Sequence, residues 1–166
     1  VTSSASPGLA RLNEAADPAA LLREVCASST WCAAVAAGRP YEGVEQLLAA
    51  SDAAMAALDP ADLDEAMAAH PPIGRPTPGD AVSAREQSGV GDAEREELLR
   101  LNLAYQEAHG HVFLICATGR TGAQMLAALK ERIGNDAPTE REIVRDELGR
   151  INRVRLTRLA ERTEAP

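Results

Sequence analysis

His70, followed directly by Pro71 and Pro72, opens a short stretch in which this chain's reactive residue types gather. Ser83-x-x-Glu86-Gln87 comes next, and after it the apolar run Phe113-Leu114-Ile115-Cys116-Ala117. An imidazole that titrates near neutrality is the default general acid or base. His70 falls just past the end of a predicted helix, where a histidine also complements the helix dipole, so its type has a structural reading beside the chemical one. Ser83 and Glu86 stand at capping-box spacing, and the free amides of such a helix start suit an anion, so capping and ligand binding could share one place. Gln87 adds a donor and an acceptor for a planar, amide-like ligand. The run from Val112 to Ala117 reads as a core segment whose backbone amides could still touch a ligand. Cys116 reads as a small buried hydrophobe, since no cation is predictable beside it.

Two further sites deserve a chemical reading. On the final predicted helix, Val144, Leu148, Ile151 and Leu159 form an apolar stripe, and Arg155 falls within about 20° of the direction of Val144. A guanidinium there must snorkel or find an acidic partner, and aimed into a pocket it would suit a carboxylate. Arg132, on the flank of its own helix, is the second candidate. His109-Gly110-His111 could bind a metal together with His70, but two histidines without a nearby acid are a weak ligand set, and surface positions are the simpler expectation.

The elements that must position these groups are helical. Hydrophobic residues make up 45% of the 166, yet aromatics only 2%: Trp31, Tyr41, Tyr105 and Phe113. Alanine is about a fifth of the chain, which favours closely packed helices, and β-branched or aromatic runs of period 2 are missing. The expectation is an all-α, single compact domain of about eight helices with no sheet. Asp17-Pro18 and Asp59-Pro60 are cap-and-proline starts for helices running to about Ala27 and Ala69. Between them, Ser28 or Ser29 restarts a short helix that Gly38 closes, and another runs from Glu42 to about Leu58. Prolines and glycines at 71–80 predict a loop. A short helix near Ser83 breaks at Ser88-Gly89, and longer ones span Asp92 to about Ala108 and Ala123 to Ile133. Pro138-Thr139 starts the last, with Thr139 and Glu142 at capping-box spacing. Residues 1–8 read as a disordered tail, 9–162 as the domain, and 163–166 as a C-terminal tail.

A net charge of −8 argues against a nucleic-acid partner. No apolar run approaches the ~20 residues of a membrane span, and no signal peptide is legible. Cys26, Cys32 and Cys116 lack CxxC spacing, as expected of reduced thiols in the cytoplasm. Arginine over lysine, with abundant alanine, points to a GC-rich bacterial genome.

Taken in order, His70-Pro71, Ser83-x-x-Glu86-Gln87, Leu101-Asn102-x-x-Tyr105, Phe113-x-Ile115-Cys116, Arg132-x-x-Asn135 and Ile151-x-x-x-Arg155-Leu156 form a recognisable series. No single motif is specific, but their order and spacing are. Over roughly residues 9–162 the chain resembles the OHCU decarboxylases, which act on 2-oxo-4-hydroxy-4-carboxy-5-ureidoimidazoline in urate breakdown. The resemblance implies an all-helical, cofactor-independent, homodimeric enzyme yielding (S)-allantoin. It implies catalytic roles for His70, Glu86 and Arg155, and substrate contacts from Pro71, Ser83, Gln87 and the segment Phe113, Leu114, Ile115, Cys116 and Ala117. The sequence departs from the family in a shorter connection from His70 to Ser83, a shorter stretch after Gln87, and histidines at 109 and 111 where aromatics are usual. Two other readings stand beside this one: a catalytically silent helical adaptor, and a metal-dependent hydrolase using His70, His109 and His111.

Overall fold

A computed structural model describes residues 6–72 and 91–163. Among these the secondary structure is helical, without a strand: α1 (Pro7–Glu14), α2 (Pro18–Arg23), α3 (Ser29–Ala37), α4 (Val44–Ala57), α5 (Pro60–Ala68), α6 (Asp92–His109), α7 (Gly122–Arg132) and α8 (Ala137–Glu161). The all-α expectation holds. The predicted short helix at Ser83 and the loop beyond Pro72 lie outside the described residues. Packing resolves two compact units, one made of the described residues up to Ala66 with those from Gly149 onward, the other of those between Met67 and Leu148.

In the first unit α1 packs on α2, α2 on α3 and α3 on α4. Leu9, Leu12, Leu22, Trp31, Val35, Leu47 and Leu63 are its fully buried side chains, together with Leu156 and Ala160 of α8. α1 begins at Pro7, two residues inside the expected tail, because Leu9 and Leu12 lie one turn apart and both are buried. Gly8 makes that possible: a Cβ there would collide with the Leu159 carbonyl oxygen, so the backbones of α1 and α8 meet directly. The carbonyls that α1 leaves unpaired at its C-terminus are taken by one side chain. Arg39 Nη1 donates to the carbonyls of Leu12 (2.9 Å), Asn13 (3.3 Å) and Ala15 (3.0 Å).

Asp17 caps α2 as predicted, accepting the Ala20 amide at 3.2 Å, but the helix ends at Arg23 rather than near Ala27. The Val25 and Cys26 amides both turn back to the Leu22 carbonyl, and this tight turn delivers Ser28 to the start of α3. There Ser28 Oγ accepts the Trp31 amide at 3.2 Å. Gly38 closes α3, and a Cβ on it would collide with the Tyr41 hydroxyl.

The core of the second unit is Leu98, Tyr105, Phe113, Ile115, Ala117, Met125 and Leu129, contributed by α6, α7 and the irregular segment between them. Gly110 ends α6 in the left-handed region (φ 78°), its amide donating to Gln106 at 2.8 Å. Thr121 opens α7 with a reciprocal box: its Oγ accepts the Gln124 amide (3.2 Å) and Gln124 Oε1 accepts its own (2.9 Å). The start of α8 corrects an expectation. Asp136, not Thr139, is the cap, and its Oδ1 accepts the Thr139 amide at 2.8 Å. A carboxylate three residues ahead of Thr139 outcompetes the weaker Thr-to-Glu142 pairing.

Candidate active site

His70 follows the last turn of α5, which its amide closes by donating to the Met67 carbonyl at 3.0 Å. The residue is half-buried, and the fixed φ of Pro71 carries the chain away from it. His70 and Pro71 belong to the second unit, as does the segment 113–117. Arg155 belongs to the first, half-buried on α8, with Nη1 donating to the Val25 carbonyl at 3.1 Å. Ser83, Glu86 and Gln87 lie outside the described residues.

The segment from Phe113 to Ala117 is irregular, and none of its residues is more than 7% exposed. Backbone without helix or ladder must find its hydrogen bonds elsewhere. Two of its groups find them on charged side chains. Arg132 Nη1 donates to the Leu114 carbonyl at 2.8 Å, and the Cys116 amide donates to Glu147 Oε2 at 2.8 Å. The other Glu147 oxygen accepts from Arg120 Nη2 at 3.1 Å.

Arg132 in turn is held by a fully buried acid. Its Nε donates to Glu140 Oε1 at 2.8 Å and its Nη2 lies 2.6 Å from the same oxygen. Tyr105 Oη also donates to that oxygen (2.5 Å), and Asn135 Nδ2 donates to Oε2 (3.1 Å). The guanidinium lies 4.5 Å above the Phe113 ring, whose edge meets Tyr105 at a centroid distance of 5.3 Å. Burial pushes the Glu140 carboxyl up, but hydrogen bonds from Arg132, Tyr105 and Asn135 outweigh it and hold the group below its ordinary value. Burial first, and then the bond to Glu140, push the Tyr105 hydroxyl well up. Glu140 is therefore the anion and Tyr105 the neutral donor. Arg132 thus links the Glu140 carboxylate to the Leu114 carbonyl.

His109 and His111 are half-buried rather than on the surface, because the left-handed turn at Gly110 lays both against Tyr105. Ring centroids stand at 4.4 and 5.6 Å from the tyrosine. Nε2 of His109 bonds the Ile133 carbonyl at 3.1 Å and Nδ1 of His111 the Val112 carbonyl at 3.0 Å. A carbonyl only accepts, so each of these nitrogens carries its proton and is no metal donor. Among the described residues no three His, Cys, Asp or Glu side chains gather as a metal site would need. The three cysteines are buried and form no disulfide, and burial pushes Cys26 up and Cys32 up to about 11, so neither of these two is poised as a nucleophile.

The sequence profile of OHCU decarboxylase matches residues 12–157. The chain belongs to the OHCU decarboxylase family. It is 34% identical over 145 residues to the uric acid degradation bifunctional protein TTL of Arabidopsis thaliana, covering 81% of this chain and 44% of that protein. The chain thus spans less than half the length of that relative. To the 2-oxo-4-hydroxy-4-carboxy-5-ureidoimidazoline decarboxylase of Amia calva it is 33% identical over 135 residues, covering 75% of this chain and 76% of the other. The fold matches a crystal structure of OHCU decarboxylase in the presence of (S)-allantoin, with a TM-score of 0.74 at 30% identity, over 86% of this chain and 98% of that one.

Within this family member, two motifs of the series prove to be the rivet under the 113–117 segment. Tyr105 of Asn102-x-x-Tyr105 and both ends of Arg132-x-x-Asn135 converge on Glu140. The acids themselves were missed. Glu140 and Glu147 lie four residues before and three after Val144, on the stripe where Arg155 drew notice, and they are 0% and 5% exposed. A charge on an apolar stripe was the signal, and it applied to all three.

Proposed function

We propose that the chain decarboxylates 2-oxo-4-hydroxy-4-carboxy-5-ureidoimidazoline to (S)-allantoin in urate breakdown, as a carboxy-lyase. The observation that carries this reading is the likeness to a solved OHCU decarboxylase across nearly all of that chain. The chemistry suits the residues. Breaking the bond to the carboxylate releases CO2 and sends its electron pair into the neighbouring C=N bond of the ring. That internal sink needs no added cofactor, so the protein has to hold the carboxylate, stabilise developing charge and deliver one proton to one face.

His70 donates that proton and so sets the (S) configuration. Glu86 bonds the hydroxyl or ureido group and tunes His70, while Ser83 and Gln87 grip the ring amides. Pro71 and the backbone of Phe113, Leu114, Ile115, Cys116 and Ala117 complete the cradle. Arg155 orients the substrate carboxylate. Its claim over Arg132 is supported by the buried ion pair of Arg132 with Glu140 and its bond to the Leu114 carbonyl. The reading extends to a cytoplasmic homodimer of bacterial origin with the domain spanning 9–162. Among the described residues no helix is long and apolar enough to cross a membrane.

His70→Asn keeps the size of the side chain and removes the proton donor. The expected result is a fall in turnover of roughly 10²–10⁴-fold, with loss of the excess of (S) product. Wild-type rate and stereochemistry from this variant would show that His70 is not the donor.

A further inference from the structure

Glu140 and Glu147 stand seven residues apart on α8, two turns along one face, and each engages the 113–117 backbone by a different route. Glu140 acts through Arg132 on the Leu114 carbonyl. Glu147 acts directly, its Oε2 accepting the Cys116 amide and its Oε1 holding Arg120. The Cys116 amide, in the middle of the segment proposed above to hold substrate through its backbone, is thus committed to a buried carboxylate.

We propose that Glu147 is a positioning residue for the decarboxylation. By fixing the Cys116 peptide it sets which way the neighbouring peptide groups face, and so presents their amides to the ring oxygens and ureido group of the substrate. This rests on the reading of the chain as an OHCU decarboxylase. Glu147 touches no reacting atom. Its contribution is made to bound substrate and transition state alike, so it belongs in KM rather than kcat.

Steady-state kinetics on freshly generated substrate separate the possibilities. Glu147→Ala is expected to raise KM about tenfold, the scale of a buried amide left without its acceptor, with kcat changed much less. Glu147→Gln still offers an oxygen to the Cys116 amide and should recover most of that loss. A folded Glu147→Ala variant with wild-type KM, or Glu147→Gln as impaired as Glu147→Ala, overturns the proposal. Should Glu147→Ala fail to fold, amide hydrogen exchange on the wild-type protein decides. Cys116 should be protected with or without (S)-allantoin, which should add protection only at neighbouring amides. A Cys116 amide that is protected only when (S)-allantoin is bound contradicts the proposal. A wild-type protein without turnover overturns the underlying reading and this proposal with it, whereas active wild type with an indifferent Glu147→Ala overturns this one alone.

Discussion

A guanidinium at 6% exposure, as at Arg132, carries a desolvation cost that only a close anion and further hydrogen bonds offset, and Glu140 supplies the anion at 2.6 Å. Removing one partner leaves the other charge buried. Arg132→Leu should therefore lower the unfolding free energy by ~3–5 kcal/mol, read from urea denaturation of the folded variant. The same pair has a pH signature. The Glu140 carboxyl is held below its ordinary 4.5, so its stabilisation is present in full above that value and lost as pH falls through the lower folded value. Glu140→Gln should flatten the acid side of the stability curve below pH 4.5, while a variant with an unchanged acid limb would show that other carboxylates govern it. At this scale the sequence was half legible. Arg155 stood out because a long cation on an apolar stripe is conspicuous, and the same signal was available for Glu140 and Glu147. What the pattern does not show is their partners, because the needs of the Leu114 carbonyl and Cys116 amide arise from an irregular backbone.

The helix start at Asp17 was read correctly, and of the two serines left open at the next start it is Ser28 that caps; each side chain accepts an amide three residues on. Ser28→Ala should cost ~1 kcal/mol in thermal or urea unfolding, and no loss would mean that Ser29 takes over the cap. Element ends set by packing were less legible. α1 escaped notice because its eight residues carry only two leucines, and their burial depends on Gly8 letting the helix approach the Leu159 carbonyl. A methyl group at Gly8 would collide with backbone rather than with a movable side chain, so Gly8→Ala should destabilise by ~1–3 kcal/mol despite its better helix propensity. A neutral or stabilising Gly8→Ala would contradict the close approach of these two backbones. The early end of α2 has a similar cause, since the turn onto Leu22 is required to bring Ser28 to α3.

Over the whole chain, scarce aromatics and abundant alanine pointed to closely packed helices, and the described residues are helical throughout their regular structure. The proposed catalytic constellation was legible only as a series of spaced motifs, because His70, Glu86 and Arg155 come from distant stretches that no local pattern links. Part of that series proves to be support: Tyr105, Arg132 and Asn135 gather on Glu140 beneath the segment proposed to hold substrate. The central claim is that the chain turns over one substrate to one enantiomer. Circular dichroism of a reaction containing the wild-type protein and freshly generated 2-oxo-4-hydroxy-4-carboxy-5-ureidoimidazoline tests it most directly. (S)-Allantoin is expected to accumulate well ahead of spontaneous decay. Racemic product appearing at the spontaneous rate would contradict it.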